Sequence, residues 1–275
     1  MYPESLIADL ESRARQLRRD VLQMVHAAGS GHLGGSLSAV EIMAALYFQH
    51  LRLDPQRPDW PERDRFILSK GHAAPVLYAA LARRGFLPLD ELRTLRQIGS
   101  RLQGHPDRLK LPGVEMTSGS LGHGLPVAVG LALAAQLQGA KWRTYVLLGD
   151  GELQAGLIWE GALMAAKNHL ANLTAVVDQN DVQLDGPVHE IMPIEPLEAK
   201  WRAFNWNVLM VDGHNVRRLL ESLDEAEQVH DRPTVIIART TKGKGCSFME
   251  NQARWHGRAP NDEELACALE ELGDD

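Results

Sequence analysis

Five short apolar runs rich in β-branched residues recur along the chain: RFILS at 65–69, TYVLLG at 144–149, LTAVVD at 173–178, WNVLMVD at 206–212 and TVIIART at 234–240. Between them, IWEGALMAAKNHLA and NVRRLLESLDEAEQVHD place apolar residues at helical spacing, so the order is strand, helix, strand. That alternation predicts an α/β fold, a parallel β-sheet flanked by helices on both faces. Strands covered on both sides need near-continuous apolar sequence, and VLL and VII supply it. Residues 1–64 read as a helical N-terminal part, in which GSGHLGGSLS is a glycine turn and Ser36 or Ser38 is expected to cap a helix beginning near Ala39. The prolines between Leu51 and Arg65 mark a surface connection, and 260–275 reads as a short terminal helix and tail. No repeat or shift in composition divides the sequence, so one domain spanning 1–275 is expected.

Composition narrows the function classes. A net charge of -7 and a pI near 5.9 give no basic field for nucleic acid. Only Cys246 and Cys267 are present, which excludes a disulfide framework or a multi-cysteine metal site and points to a reducing compartment. The first residues mix acids and arginines without an apolar core, unlike a secretory signal, and LPVAVGLALAAQL falls short of the roughly 20 residues that span a bilayer. A cytoplasmic protein that does not enter the membrane is expected.

The strand ends carry the chemistry. They read SKGH, GDG, DQN, VDGH and RTTKGKG, at the edge where parallel α/β sheets bind ligands. Gly, Asp and Asn also make ordinary turns, so no single loop decides the matter. Six of the 11 histidines have a glycine neighbour, namely His32, His72, His105, His123, His214 and His256. Glycine lets the backbone approach a ligand, and imidazole supplies a neutral donor or acceptor near pH 7. A cleft that hydrogen-bonds a polyhydroxyl or phosphorylated molecule fits this pattern. Zinc fits less well, because no HxxxH or HExxH spacing occurs. Asp150 and Asn180, each just after a strand, are hard oxygen donors; with a nearby main-chain carbonyl they suit Mg²⁺ or Ca²⁺ holding a diphosphate. Gly149 and Gly151 would allow close approach, and the following helix N-terminus would face the anion. Lys242 and Lys244 in KGKG lack the spacing of a nucleotide-binding phosphate loop.

The span Gly149–Asn180 resembles the thiamine diphosphate motif, GDG followed by an Asn-containing strand end. AGSGHLGGSLSAVE, ILSKGHAAPVLYAAL, GHPD, PGVEMTSGSLGHGLPVAVGLALA and TTKGKGCSFMENQARWHG are similar, in this order, to the amino-terminal half of transketolases, from about Ala14 to Pro260. The resemblance implies a thiamine diphosphate-binding fold of the diphosphate-binding type, with Asp150, Asn180 and the Val182 carbonyl as ligands of Mg²⁺ or Ca²⁺. It implies that His32, His72, His105 and His256 face the reacting centre, the sugar hydroxyls or the diphosphate. Gly119, Ser120 and Leu121 match the turn against the cofactor rings. His123 stands where many members have Gln, Gly151 backs the diphosphate, and Glu160 matches a carboxylate near the site. Ala155 departs from the family, which commonly has Glu there in a carboxylate relay between two sites.

In the family, a pyrimidine-binding domain of the neighbouring subunit completes each site, and this sequence stops short of one. The resemblance therefore implies a split transketolase: a carboxyl-terminal partner subunit carrying that domain, self-association within an α2β2 heterotetramer, and transfer of a two-carbon ketol unit between sugar phosphates. Deoxyxylulose phosphate synthases share Ala after GDG but typically lack the TTKGKGCSFMEN and WHG segments. A subunit of a 2-oxo acid dehydrogenase and a non-catalytic subunit retaining the fold are the other readings.

Overall fold

The computed structural model describes residues 2–273. The strands are β1 (Arg65–Leu68), β2 (Thr144–Gly149), β3 (Leu173–Gln179), β4 (Asn207–Asp212) and β5 (Thr234–Arg239), within a residue or two of the expected runs. They form one sheet in the order β1-β2-β3-β5-β4, every pair parallel. The helices are α1 (Glu4–Ala28), α2 (Gly34–Leu37), α3 (Val40–Ala45), α4 (Ala74–Arg84), α5 (Gly124–Gln138), α6 (Gly156–Lys167), α7 (Val188–Ile191), α8 (Leu197–Ala203), α9 (Val216–Gln228) and α10 (Asp262–Leu272).

Alternate strand residues belong to different cores, as a sheet covered on both faces requires. Phe66, Leu68, Tyr145, Leu147, Val176 and Ile236 pack with α1, α3, α4 and α9 on one side. Ile67, Val146, Leu148, Val177, Val235 and Ile237 pack with α5, α6 and α8 on the other. The edge strand β4 is only half-buried, with Val211 its one buried residue. The terminal helix α10 opens with a reciprocal cap: the Glu264 amide donates to Asn261 Oδ1 at 2.8 Å, and the Asn261 amide donates to Glu264 Oε2 at 2.9 Å. Met1 and the last two positions of the expected 260–275 tail lie outside the described residues.

The glycine turn differs from expectation. Two short helices, α2 and α3, follow it, and neither Ser36 nor Ser38 caps them. Ser36 Oγ donates to the His32 carbonyl at 2.7 Å, and Ser38 Oγ donates to Asp178 Oδ2 at 2.6 Å. A charge-assisted hydrogen bond to a buried carboxylate is stronger than a neutral cap bond, and the rotamer that makes it turns Ser38 to the sheet edge.

Candidate active site

All five strands run the same way, so the loops after β1, β2, β3 and β5 converge at one edge. Gly149, the last residue of β2, lies opposite Asp178 of β3. This register puts Asp150 and Asn180 at the floor of one cavity of about 230 Å³. Asp150 Oδ1 accepts from the Gly151 amide at 2.7 Å, and its Oδ2 accepts from the Asp181 amide. Asn180 Oδ1 accepts from the Val182 amide at 3.2 Å, so both side chains are tied to the turn that carries the Val182 carbonyl. Burial, then the neighbouring Asp178 charge, pushes the Asp150 carboxyl up to about 6. A 3₁₀ turn, Gly151–Gln154, separates the motif from α6, which begins at Gly156, two residues before the expected IWEGALMAAKNHLA run.

Asp178 organises this floor, although the sequence pattern did not single it out. It is fully buried, and it accepts from Lys70 Nζ, Ser38 Oγ, Thr240 Oγ1 and Asn180 Nδ2. Burial opposes its ionisation, but the Lys70 ammonium and these donors outweigh burial and hold its pKa below the ordinary value. Glu152 is a second buried carboxylate. It accepts from Ser69 Oγ and from the Gly122 and Gly149 amides at 2.8 and 3.0 Å, fastening three loops together. Lys242, in the loop after β5, is 2% exposed and donates to the Val182 carbonyl and to His256 Nδ1, the latter at 2.9 Å. Burial, then the charge of Lys70, lowers it to about 8. Lys244, by contrast, points away and pairs with Glu250 at 3.4 Å.

Above the floor four imidazoles cluster. The His32 ring centre lies 5.5 Å from His72, 6.1 Å from His105 and 5.4 Å from His256, and His72 stacks on His256 at 5.0 Å. Burial is the first cause that lowers all four pKa values, and nearby cations add to it. His32 falls to about 4, His256 to about 3, His72 well below its usual value, and His105 is lowered as well. The cluster is therefore neutral at pH 7 and offers donors and acceptors without charge.

The remaining candidates divide. Leu121 lines the cavity, and the Gly119 backbone (φ 141°) lies so close to the His105 ring that an added Cβ would meet it at 3.1 Å. Gly151 also lines the cavity. Ser120 and His123 are exposed on the outer side of that turn; the Ser120 carbonyl accepts from the His123 amide at 3.4 Å, and neither side chain lines the cavity. Glu160 sits on the exposed side of α6 with no hydrogen bond among the described residues. It shares that exposed side with Leu163 and Met164, while the opposite side of α6, with Ile158, Ala162 and Ala165, packs into the core. Ala155, the departure from the family, ends the 3₁₀ turn and packs under Gly122, where a Cβ would come within 2.9 Å. His214 is structural: Nδ1 bonds Glu41 at 2.9 Å, and Nε2 accepts from the Thr241 amide at 2.8 Å, fixing the loop that carries Lys242.

A parallel sheet whose carboxyl edge gathers a buried Asp, an Asn, an unpaired Lys and neutral imidazoles defines a domain built to hold an anionic cofactor beside a reacting centre. A family model described as "Transketolase, thiamine diphosphate binding domain" matches residues 10–275. An apulose-4-phosphate transketolase subunit from Actinobacillus succinogenes is 46% identical over 277 residues, covering 100% of both chains. The 6-deoxy-6-sulfo-D-fructose transketolase subunit of a Clostridium species is 44% identical over 264 residues, with 96% of each chain covered. Among solved structures, the transketolase of Campylobacter jejuni superposes with a TM-score of 0.92 at 33% identity, covering 98% of this chain and 43% of that one. This chain belongs to the transketolase family and is its thiamine diphosphate-binding domain. It spans about two-fifths of the length of the solved transketolases it matches. Among the described residues no helix is long and apolar enough to cross a membrane.

Proposed function

We propose that the chain is a single cofactor-binding domain acting as the N-terminal subunit of a two-subunit transketolase. One observation carries this reading. The cavity holds a carboxylate, Asp150, and an ammonium, Lys242, each 3% exposed or less, and neither forms a salt bridge, with its own opposite or with any other charge among the described residues. Burial drives both towards neutrality, Asp150 up to about 6 and Lys242 down to about 8. An unpaired buried charge is costly, and a ligand bearing both signs relieves both costs at once. A divalent cation held by Asp150, Asn180 and the Val182 carbonyl, joined to a diphosphate that faces Lys242, meets that requirement. Hard oxygen donors suit Mg²⁺ or Ca²⁺.

Thiamine diphosphate, when bound, supplies the electron sink for breaking and making carbon–carbon bonds. This chain's residues then place the substrate and handle protons. His32, His105 and His256 would meet substrate oxygens, while His72, enclosed between the rings and Lys70, would face both cofactor and substrate. The substrates proposed are anionic sugars that exchange a two-carbon ketol unit, since one relative is named for a sugar phosphate and another for a sulfonated sugar. Both are named as subunits and match this chain over nearly their whole length, which supports a separate partner subunit. The proposed partner carries the carboxyl-terminal pyrimidine-binding domain, and the proposed assembly is an α2β2 heterotetramer in the cytoplasm.

Calorimetry tests the cofactor site. Thiamine diphosphate titrated with Mg²⁺ into the chain assembled with its partner should give saturable binding, which Asp150→Ala should weaken by 100-fold or more. Equal affinity in wild type and Asp150→Ala would refute the metal assignment. Absence of ketol transfer by the assembled pair, with cofactor bound, would refute the activity.

A further inference from the structure

Arg96 follows the 3₁₀ turn Leu89–Thr94 and holds a left-handed backbone conformation, φ 59°, that few long side chains adopt. Its amide donates to the Leu102 carbonyl at 2.8 Å, closing the loop. The guanidinium lies flat against Gly104, where an added Cβ would stand 3.1 Å from it. From there Nη1 donates to Ser30 Oγ at 2.8 Å, and Nη2 lies 3.3 Å from His32 Nδ1. No carboxylate neutralises Arg96 among the described residues.

A guanidinium stays protonated and can only donate. The hydrogen between Arg96 and His32 therefore belongs to Arg96, and His32 Nδ1 is the bare acceptor. A neutral imidazole with a bare Nδ1 carries its proton on Nε2. We propose that Arg96 is a positioning residue that locks His32 in its Nε2–H tautomer, so that His32 meets the substrate as a hydrogen-bond donor to an oxygen and not as a base. The proposal deepens the reading of the cavity as a ketol-transfer site and rests on it for the substrate.

The surroundings agree. His32 Nε2 has no partner among the described residues, and the missing Cβ of Gly257, which would lie 3.8 Å from it, leaves that edge open. The groups facing the ring are Arg96, Lys242, His72, His105 and His256, with no carboxylate among them. Burial first, and then Arg96, His105 and Lys242, hold His32 down to about 4, so the neutral tautomer persists across the working range. A fixed donor aimed where negative charge gathers on a substrate oxygen stabilises a transition state without reorganisation.

Ring nitrogen-15 spectra of the full chain labelled in histidine test the lock without reference to catalysis, with His32 assigned through His32→Asn. The wild type should show His32 as the Nε2–H tautomer with an acidic midpoint. Arg96→Met should mix the tautomers and move that midpoint towards the ordinary histidine value, and Arg96→Lys, which keeps a cationic donor, should restore much of the wild-type pattern. A wild-type Nδ1–H tautomer, or spectra unchanged in Arg96→Met, would overturn the lock. In the assembled enzyme, Arg96→Met should lower kcat by about tenfold with KM less affected, since a donor aimed at developing charge acts mainly in the transition state. It should also move the acid limb of the pH profile upward. An unchanged kcat alongside altered spectra would overturn the donor role and leave the assignment of the activity untouched.

Discussion

Replacing Lys70 by Met tests the idea that the site floor is assembled around one buried ion pair. Lys70 is 1% exposed and Asp178 is fully buried, so water screens neither charge. Lys70→Met keeps the stem's volume and removes the ammonium, leaving the Asp178 carboxylate with three uncharged donors, Ser38, Thr240 and Asn180. Removing one partner of a buried pair costs about 3–5 kcal/mol, and the retained donors set the lower end, about 3 kcal/mol, as the expectation. Asp178→Asn should cost a similar amount by stranding the lysine. The double variant removes both charges of the pair and strands neither, so its cost should fall short of the sum by about 2 kcal/mol or more. The assay is urea unfolding of the four proteins at pH 7.5 without metal or cofactor, followed by tryptophan emission and compared through the midpoints. A single-variant loss below about 1 kcal/mol, or additivity within about 0.5 kcal/mol, would show that the pair does not hold the loops together.

Three further perturbations probe the buried imidazoles and separate stability from ligand binding. Because His32 and His256 titrate at about 4 and about 3 in the folded chain but near the ordinary 6.5 when unfolded, the unfolded chain binds more protons across that window. Stability should therefore decline as pH falls from about 6.5 towards 4, and His32→Asn/His256→Asn should flatten the decline in thermal melts; parallel curves would count against the buried neutral cluster. Gly124 admits no side chain, since an added Cβ would stand 2.2 Å from Ser69 Oγ and 2.7 Å from its Cα, so Gly124→Ala should lower the melting temperature by several degrees. Gly149 has room at 3.7 Å from Lys70 Cβ and lines the cavity, so Gly149→Ala should leave the melt nearly unchanged and weaken thiamine diphosphate binding. The reverse order of these two effects in calorimetry would refute the division.

The sheet was legible because it rests on composition within short windows. VLL and VII are apolar on both faces, and only a covered parallel strand needs that. Asp150, Asn180 and His72 were legible for a related reason, since polar chemistry directly after a strand marks the carboxyl edge, whereas His32 and His256 follow no strand and were marked only by their glycine neighbours and the family resemblance. Asp178, Glu152 and Lys70 were not legible, although Lys70 stands in SKGH and Asp178 in DQN. Each relies on at least one partner 83 to 140 residues away, which no local period encodes. The one available signal was a charged residue ending an apolar strand, and LTAVVD displays it. Lys242 was hidden for the opposite reason: KGKG has no phosphate-loop spacing, yet its ammonium reaches the cavity from a loop whose neighbouring Thr241 amide is held by His214. Glu160 and His123 show the limit of carrying a motif over to a single chain, since both face outward here.

The same device occurs twice around the cavity and narrows the proton chemistry open to it. Lys242, lowered only to about 8, is still protonated at pH 7, so at 2.9 Å it donates to His256 Nδ1 as Arg96 does to His32 Nδ1. Both imidazoles then carry their proton on Nε2 and can only give a hydrogen bond to what they meet on that edge. Among the described residues no cation is bonded to a ring nitrogen of His72 or His105, so either tautomer is open to them. His72 is enclosed beside Lys70, whose charge is spent on Asp178, while His105 is exposed at the mouth. On the proposed ketol-transfer reading, proton acceptance from a substrate hydroxyl would fall, among these four rings, to His72 or His105, and oxygen recognition to His32 and His256. That division follows from which cation each ring touches.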